Sequence, residues 1–119
     1  MPARRGEIVL AELPFSDGSG SKIRPALVVQ CDRNNRRLQD VIVAVITKTT
    51  KNAAVEPTQF LIDITTPQGK ATHLLHTSAV KCEHLITIEQ RLIRKVIGSL
   101  PADMMLKIDD CLQSALELK

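Results

Sequence analysis

"GSGSKIRPALVVQCD", Gly18 to Asp32, joins two unlike pieces with no linker between them. A small Gly/Ser loop ends in two cations, Lys22 and Arg24, and Pro25 then opens an apolar run from Ala26 to Val29. Turn residues ahead and β-branched residues behind read as a loop feeding a strand. Pro25 is expected at the strand's first position, where a missing N–H is tolerated. A proline also biases the residue before it toward an extended backbone. Arg24 on the lip of this strand is therefore either ordinary surface charge or a working group aimed from a rigid base.

Reading outward gives more strands. "EIVLAEL", Glu7–Leu13, precedes the loop and ends at Pro14. "DRNNRR" is a polar turn, and "DVIVAVIT", Asp40–Thr47, is almost wholly apolar, as a strand buried on both faces would be. "TQFLIDIT", Thr58–Thr65, alternates, with Phe60, Ile62 and Ile64 on one face. After the turn signal "PQGK", "TSAVKCE" and "HLITI" give one or two short strands. From Glu89 the period changes: "EQRLIRKVIG" has helical spacing and a stop at Gly98. Pro101 opens a clearer helix in which Met104, Met105, Ile108, Cys111, Leu112, Ala115 and Leu116 form an apolar stripe. Asp103 and Lys119 suit the two ends of its dipole. The expected architecture is mainly β with a C-terminal helical part, a small antiparallel barrel over about 5–88 with helical cover over about 89–119. At 119 residues the chain is expected to be a single domain, 1–119.

Composition narrows the function. Hydrophobic residues make up 44% of the chain, enough for a core, but Phe15 and Phe60 are its only aromatics. RNA-recognition sheets and open stacking channels, which need aromatic platforms, are excluded on that ground. The charge is lopsided: residues 1–51 carry nine Lys/Arg against five Asp/Glu, and the remainder seven against eight. A basic half containing Arg33, Arg36 and Arg37 fits a polyanion partner as well as a plain solvated face. Cys31, Cys82 and Cys111 are widely spaced and form no C-x-x-C, which fits reduced thiols in the cytoplasm. The apolar patch after Arg4 and Arg5 is bounded by Glu7 and Glu12 and is too short for a signal peptide, and no apolar run suits a membrane span.

Several motifs are absent. The Gly/Ser loop is not a phosphate-binding P-loop, because Lys22 is followed by Ile23 and a strand rather than by Ser/Thr and a helix. His73-x-x-His76 and Cys82-x-His84 place four metal-binding side chains close together, but their spacing matches no standard zinc finger. His76 and His84 could instead serve as an acid/base pair, since imidazole titrates near neutrality. Taken singly, each is also an ordinary polar residue on a half-exposed strand. Asp109 and Asp110, on the polar face of the last helix, make no acidic cluster for Mg²⁺. No metal and no cofactor are expected. Phosphodiester cleavage without a metal points to RNA, whose own 2′-hydroxyl can be the nucleophile.

"RRGEIVLAELPF", "KIRPALVVQCD", "VIVAVIT", "SAVKCEHLITI" and "IGSLPADMMLKIDDCLQSAL" resemble, in order and spacing, the MazF/PemK toxins of bacterial toxin–antitoxin systems. The resemblance spans nearly the whole chain and implies an SH3-like barrel. It further implies a cytoplasmic, metal-independent endoribonuclease that cuts single-stranded RNA at short sequences. The family forms homodimers whose groove takes either RNA or a segment of the cognate antitoxin. A small barrel with strands such as "VIVAVIT" also has more apolar surface than one helix stripe covers, which favours a homodimer. Arg24 and Thr47 match the family's catalytic pair, and Glu83 matches a later acidic residue, with Lys81 two before it. Ser19, Ser21, Lys22, Lys48, Lys81 and His84 are the expected RNA contacts. The loop "DGSGSKIRP" lacks the Glu and Gln of the family's G-S-E-Q stretch, which bears on base recognition but not on Arg24 or Thr47.

In such a site the guanidinium suits a phosphorane's extra charge but makes a poor base, because it stays protonated. Thr47 would hydrogen-bond a phosphate oxygen, and Glu83 or His84 would be the base or a nucleotide-positioning group. Two rivals share the fold: a non-catalytic protein-binding module and a gyrase-poisoning toxin. The presence of both Arg24 and Thr47 favours the nuclease.

Overall fold

Asp40–Thr47 forms the strand around which the rest is arranged in the computed structural model, which describes residues 2–118. Six strands make one antiparallel sheet: β1 (Glu7–Pro14), β2 (Ser21–Val28), β3 (Asp40–Thr47), β4 (Gln59–Ile62), β5 (Ser78–Glu89) and β6 (Ile93–Ser99). Their order across the sheet is β4-β5-β3-β2-β1-β6. The outer strands β4 and β6 do not pair with one another, so the SH3-like barrel stays open. Three α-helices are found among the described residues: α1 (Asp32–Arg37), the single turn α2 (Pro67–Lys70) and α3 (Ala102–Leu116).

The near-continuous apolar sequence of β3 follows from two cores, one on each face of the sheet. Val41, Val43 and Val45 pack with Val9, Ala11, Leu13, Ala26 and Val28 on one side. Ala44 and Ile46 pack with Ile8, Leu27, Ile62, Val80 and Cys82 on the other, under Ile108 and Cys111 of α3. The expected helical stripe is the one that docks there, with Leu116 left 52% exposed at its end. Lys119, expected to close the helix, lies outside the described residues. Arg5 fixes the packing of helix on sheet: its Nε donates to the Val29 carbonyl at 2.8 Å and its Nη2 pairs with Asp109 at 2.7 Å.

The structure corrects several expectations. The helical part does not begin near residue 89. Gln90–Leu92 is one 3₁₀ turn, and Ile93–Ser99 is β6, paired with β1. Two register shifts leave Arg94 and Ile97 of β6 as extra residues without a partner on β1. Such bulges break the period-2 alternation, and the apolar residues Ile93, Val96 and Ile97 then mimic helical spacing. β2 starts at Ser21, four residues before Pro25, which therefore sits within the strand opposite Leu10. "DRNNRR" is the short helix α1 rather than a turn, and only Gln59–Ile62 of Thr58–Thr65 is strand. "TSAVKCE" and "HLITI" belong to one strand, β5. Among the described residues no helix is long and apolar enough to cross a membrane.

Candidate active site at the parted strands

β2 runs beside β1 from Ser21 to Leu27, but it pairs with β3 only from Val28↔Val43 to Ala26↔Val45. Beyond that rung comes Pro25, which has no N–H to carry a ladder onward. The two strands part, and Arg24 and Thr47 flank the opening. Each lies two residues past the last rung, and alternation puts both on the face of Ala26 and Val45. Both are half-buried. Thr47 Oγ1 accepts the Thr49 backbone N–H at 3.1 Å, which leaves the hydroxyl proton free to donate outward. Ion pairs among the described residues join Arg5 to Asp109, Arg91 to Glu89 and Arg94 to Glu12. Arg24, Lys22, Lys48 and Lys81 thus hold no carboxylate partner among those residues.

A cleft of about 600 Å³ opens at the same place, floored by Leu10, Ile46 and Ile97 and rimmed by Lys22, Lys48 and His76. The segment after α2 forms its far wall. Gly98 makes this possible, because a β-carbon there would lie 2.5 Å from the Thr72 carbonyl oxygen. His73 Nδ1 donates to the Ile97 carbonyl at 2.6 Å, holding His73 at a left-handed φ of 59°. Leu75 beside it is 86% exposed.

Glu83 and His84 arise from a second irregularity. β3 and β5 pair in register as far as Ala44↔Leu85, and the next rung is Val45↔Lys81. Cys82, Glu83 and His84 therefore have no partners on β3 and form a bulge, a device that re-aims side chains. Cys82 turns into the core, where burial pushes its thiol up to about 12. Glu83 is clamped by the first residue of β4 and the one before it: Thr58 Oγ1 donates to Oε1 at 3.0 Å and Gln59 Nε2 donates to Oε2 at 2.8 Å. Burial opposes ionisation of Glu83, but its backbone, Gln59, Thr58 and the charge of Lys81 outweigh it and hold the carboxyl below its usual range. Burial, then the charges of Lys81 and Arg24, lower the pKa of His84 from 6.5, with Glu83 acting in the opposite sense.

The expected site residues thus fall into three groups. Arg24, Thr47, Lys22 and Lys48 meet at the opening. Lys81, Glu83 and His84 sit together at the bulge, within electrostatic reach of Arg24. Ser19, on the loop, and Ser21, at the start of β2, are exposed and do not line the cleft; the Ser19 N–H is taken by Asp17 at 2.9 Å. His73, His76, Cys82 and His84 do not converge, and among the described residues no three His, Cys, Asp or Glu side chains are arranged to hold a metal ion. Arg33, Arg36 and Arg37 lie on α1, which precedes β3, whereas Thr47 is at that strand's other end, roughly 25 Å away. The basic surplus of the first half is therefore divided between two ends of the sheet. The sequence reading missed Thr58 and Gln59, as well as Leu75 of the cleft. No motif marks them, since hydrogen bonds spanning 24 and 25 residues bring Gln59 and Thr58 to Glu83.

Residues 4–116 match the family of PemK-like, MazF-like toxins of type II toxin–antitoxin systems. Endoribonuclease MazF6 of Mycobacterium tuberculosis is 36% identical over 120 residues, covering 99% of this chain and all of the relative. Endoribonuclease EndoA of Bacillus subtilis is 33% identical over 119 residues, covering 99% and 97%. A mycobacterial endoribonuclease, solved in complex with its cognate antitoxin, superposes with a TM-score of 0.76 at 24% identity, covering 98% and 97% of the two chains. Fold and sequence define a class, the small toxins of type II toxin–antitoxin systems. The chain belongs to their PemK/MazF family.

Proposed function

We propose that the chain is the toxin of a type II pair, an endoribonuclease that cuts single-stranded RNA at short sequences without a metal. The observation that supports this most directly is the placement of Arg24 and Thr47, each two residues past the last β2–β3 rung. Attack by a 2′-hydroxyl on the adjacent phosphorus concentrates negative charge on the phosphoryl oxygens. A guanidinium set on a proline-fixed strand can meet that charge bidentately, and Thr47 can add a second donor to one of the two non-bridging oxygens. Lys22, Lys48 and Lys81 carry the neighbouring phosphates.

The same reading makes residues 1–119 one functional unit, working as a cytoplasmic homodimer neutralised by an antitoxin. The apolar side chains Phe15, Ile23 and Leu75 beside the cleft are 40%, 45% and 86% exposed, and this supports a partner there. The decisive experiment incubates purified protein with a long RNA in EDTA and maps the ends. Discrete cuts leaving 2′,3′-cyclic phosphates are expected. A folded dimer that leaves every RNA intact, or cuts only when metal is restored, overturns the proposal.

A further inference from the structure

We infer that the β5 bulge divides the remaining chemistry between adjacent side chains. His84 takes the proton of the attacking 2′-hydroxyl, and Glu83 is a positioning group that does not itself receive it. This rests on the nuclease reading above and names the base that reading leaves open.

The geometry of Glu83 argues against a base. Both its oxygens accept hydrogen bonds, at 3.0 Å from Thr58 and 2.8 Å from Gln59. Gln59 is only 9% exposed, so one arm of the clamp is anchored in the sheet, while Glu83 itself is exposed at the surface. A carboxylate held by two donors is stabilised as the anion and is a weak proton acceptor near neutral pH. Its neighbour has the complementary setting. His84 is half-buried and leaves the bulge between the end of the ladder and the clamped carboxylate. Arg24 of β2 and Lys81 of β5 are the cations acting on it and Glu83 is the anion, while the non-titrating Thr58 and Gln59 hold Glu83 in place. Burial and the two cations favour the neutral imidazole, the form able to accept a proton at pH 7.

The step balances without a co-reactant. The 2′-oxygen bonds to phosphorus as its proton passes to a His84 ring nitrogen. The bond from phosphorus to the 5′-oxygen breaks, and that oxygen takes a proton from water. His84 then returns its proton to solvent, and no electrons are transferred.

The test is single-turnover cleavage of one RNA between about pH 4.5 and 8, where the imidazole titrates. It compares wild type, His84→Ala, His84→Gln, Glu83→Gln and Gln59→Ala, with binding of a 2′-deoxy analogue and thermal melts as folding controls. Wild type should lose rate in acid with a midpoint below 6.5. His84→Ala and His84→Gln should lose that limb and about 10²-fold or more in rate while still binding RNA, and added imidazole should partly restore the alanine variant. Glu83→Gln should keep the limb but move its midpoint lower, because the anion that raises the His84 pKa is gone. Gln59→Ala should keep the limb and lose rate modestly. An acid limb intact in His84→Ala, or abolished in Glu83→Gln, overturns the assignment alone. A wild type that cuts no RNA overturns the nuclease reading and this one with it. An NMR titration needs no RNA, and a wild-type His84 that stays mostly protonated at pH 7 sinks the assignment whatever the kinetics.

Discussion

Arg24 and Thr47 stand at matching places on neighbouring strands, each two residues beyond the Ala26↔Val45 rung where β2 and β3 stop pairing. The pairing ends beside Pro25, and the opening it leaves is flanked by a guanidinium on one side and a hydroxyl on the other. An arginine on an ordinary loop would move freely, whereas this one is tied through Ala26, Leu27 and Val28 to both cores.

Replacing Arg24 should therefore damage chemistry more than binding. Arg24→Ala is expected to slow single-turnover cleavage by at least ~10²-fold, the scale of removing one preorganised stabilising donor. Arg24→Lys should rescue poorly, since an ammonium lacks the planar fork. RNA affinity should fall less, because other cations share the phosphates. A folded Arg24→Ala protein cutting within a few-fold of wild type would make Arg24 ordinary surface charge.

The division of basic charge between two ends of the sheet predicts unequal effects. Neutralising Lys22, Lys48 and Lys81 together should weaken RNA binding and flatten its salt dependence, by about 0.7 in log–log slope for each single-strand phosphate that no longer meets a cation. Changing Arg33, Arg36 and Arg37 to Gln should leave that slope nearly unchanged. Equal effects of the two triple variants in salt-titrated binding would show that RNA reaches α1.

Glu83 should titrate below the usual range for a glutamate, 4.5, because its backbone, Gln59 and Thr58 outweigh the effect of burial. Its folded pKa is depressed, so the stability it contributes is present above the unfolded value and lost as pH falls through the folded one. Gln59→Ala removes one donor and should raise the Glu83 midpoint toward 4.5 in a carboxyl NMR titration. An unchanged midpoint would mean that the clamp is not formed in solution.

Thiol labelling offers a check on packing. Cys31 is exposed and should react first with iodoacetamide, whereas Cys82, its thiol pushed up to about 12 by burial, should react only on unfolding. Mass spectrometry of a time course decides this, and early modification of Cys82 would contradict the packing of α3 on β5.

Gly98→Ala should destabilise the fold by about 1–3 kcal/mol, the usual cost of forcing an extra carbon into a packed site. The added carbon would meet the Thr72 carbonyl at 2.5 Å, which is backbone and cannot swing aside. A melting temperature equal to that of wild type would show that the segment over the cleft is loosely held.

Legibility in the sequence tracked how locally each feature is encoded. β3 was readable to the residue because the unbroken apolar run Val41–Ile46 carries its burial on both faces. Arg24 and Thr47 were readable because each ends a recognisable strand motif. β6 was hidden by its own bulges at Arg94 and Ile97. β2 was read too short because Pro25 looks like a beginning, although the strand pairs with β1 on both sides of it. The clamp on Glu83 was invisible, since Thr58 and Gln59 reach it only once β4 has paired with β5.

That order of pairing bears on synthesis as well as on structure. Arg24, Thr47 and His84 come from three adjacent strands, and the last two lie 37 positions apart along the chain. β5 must leave the ribosome and settle between β3 and β4 before the three can meet. On the proposed assignment, a growing chain that already displays Arg24 and Thr47 still lacks the group that starts the reaction. The messenger being translated would then be safe from its own product until most of the protein has been made.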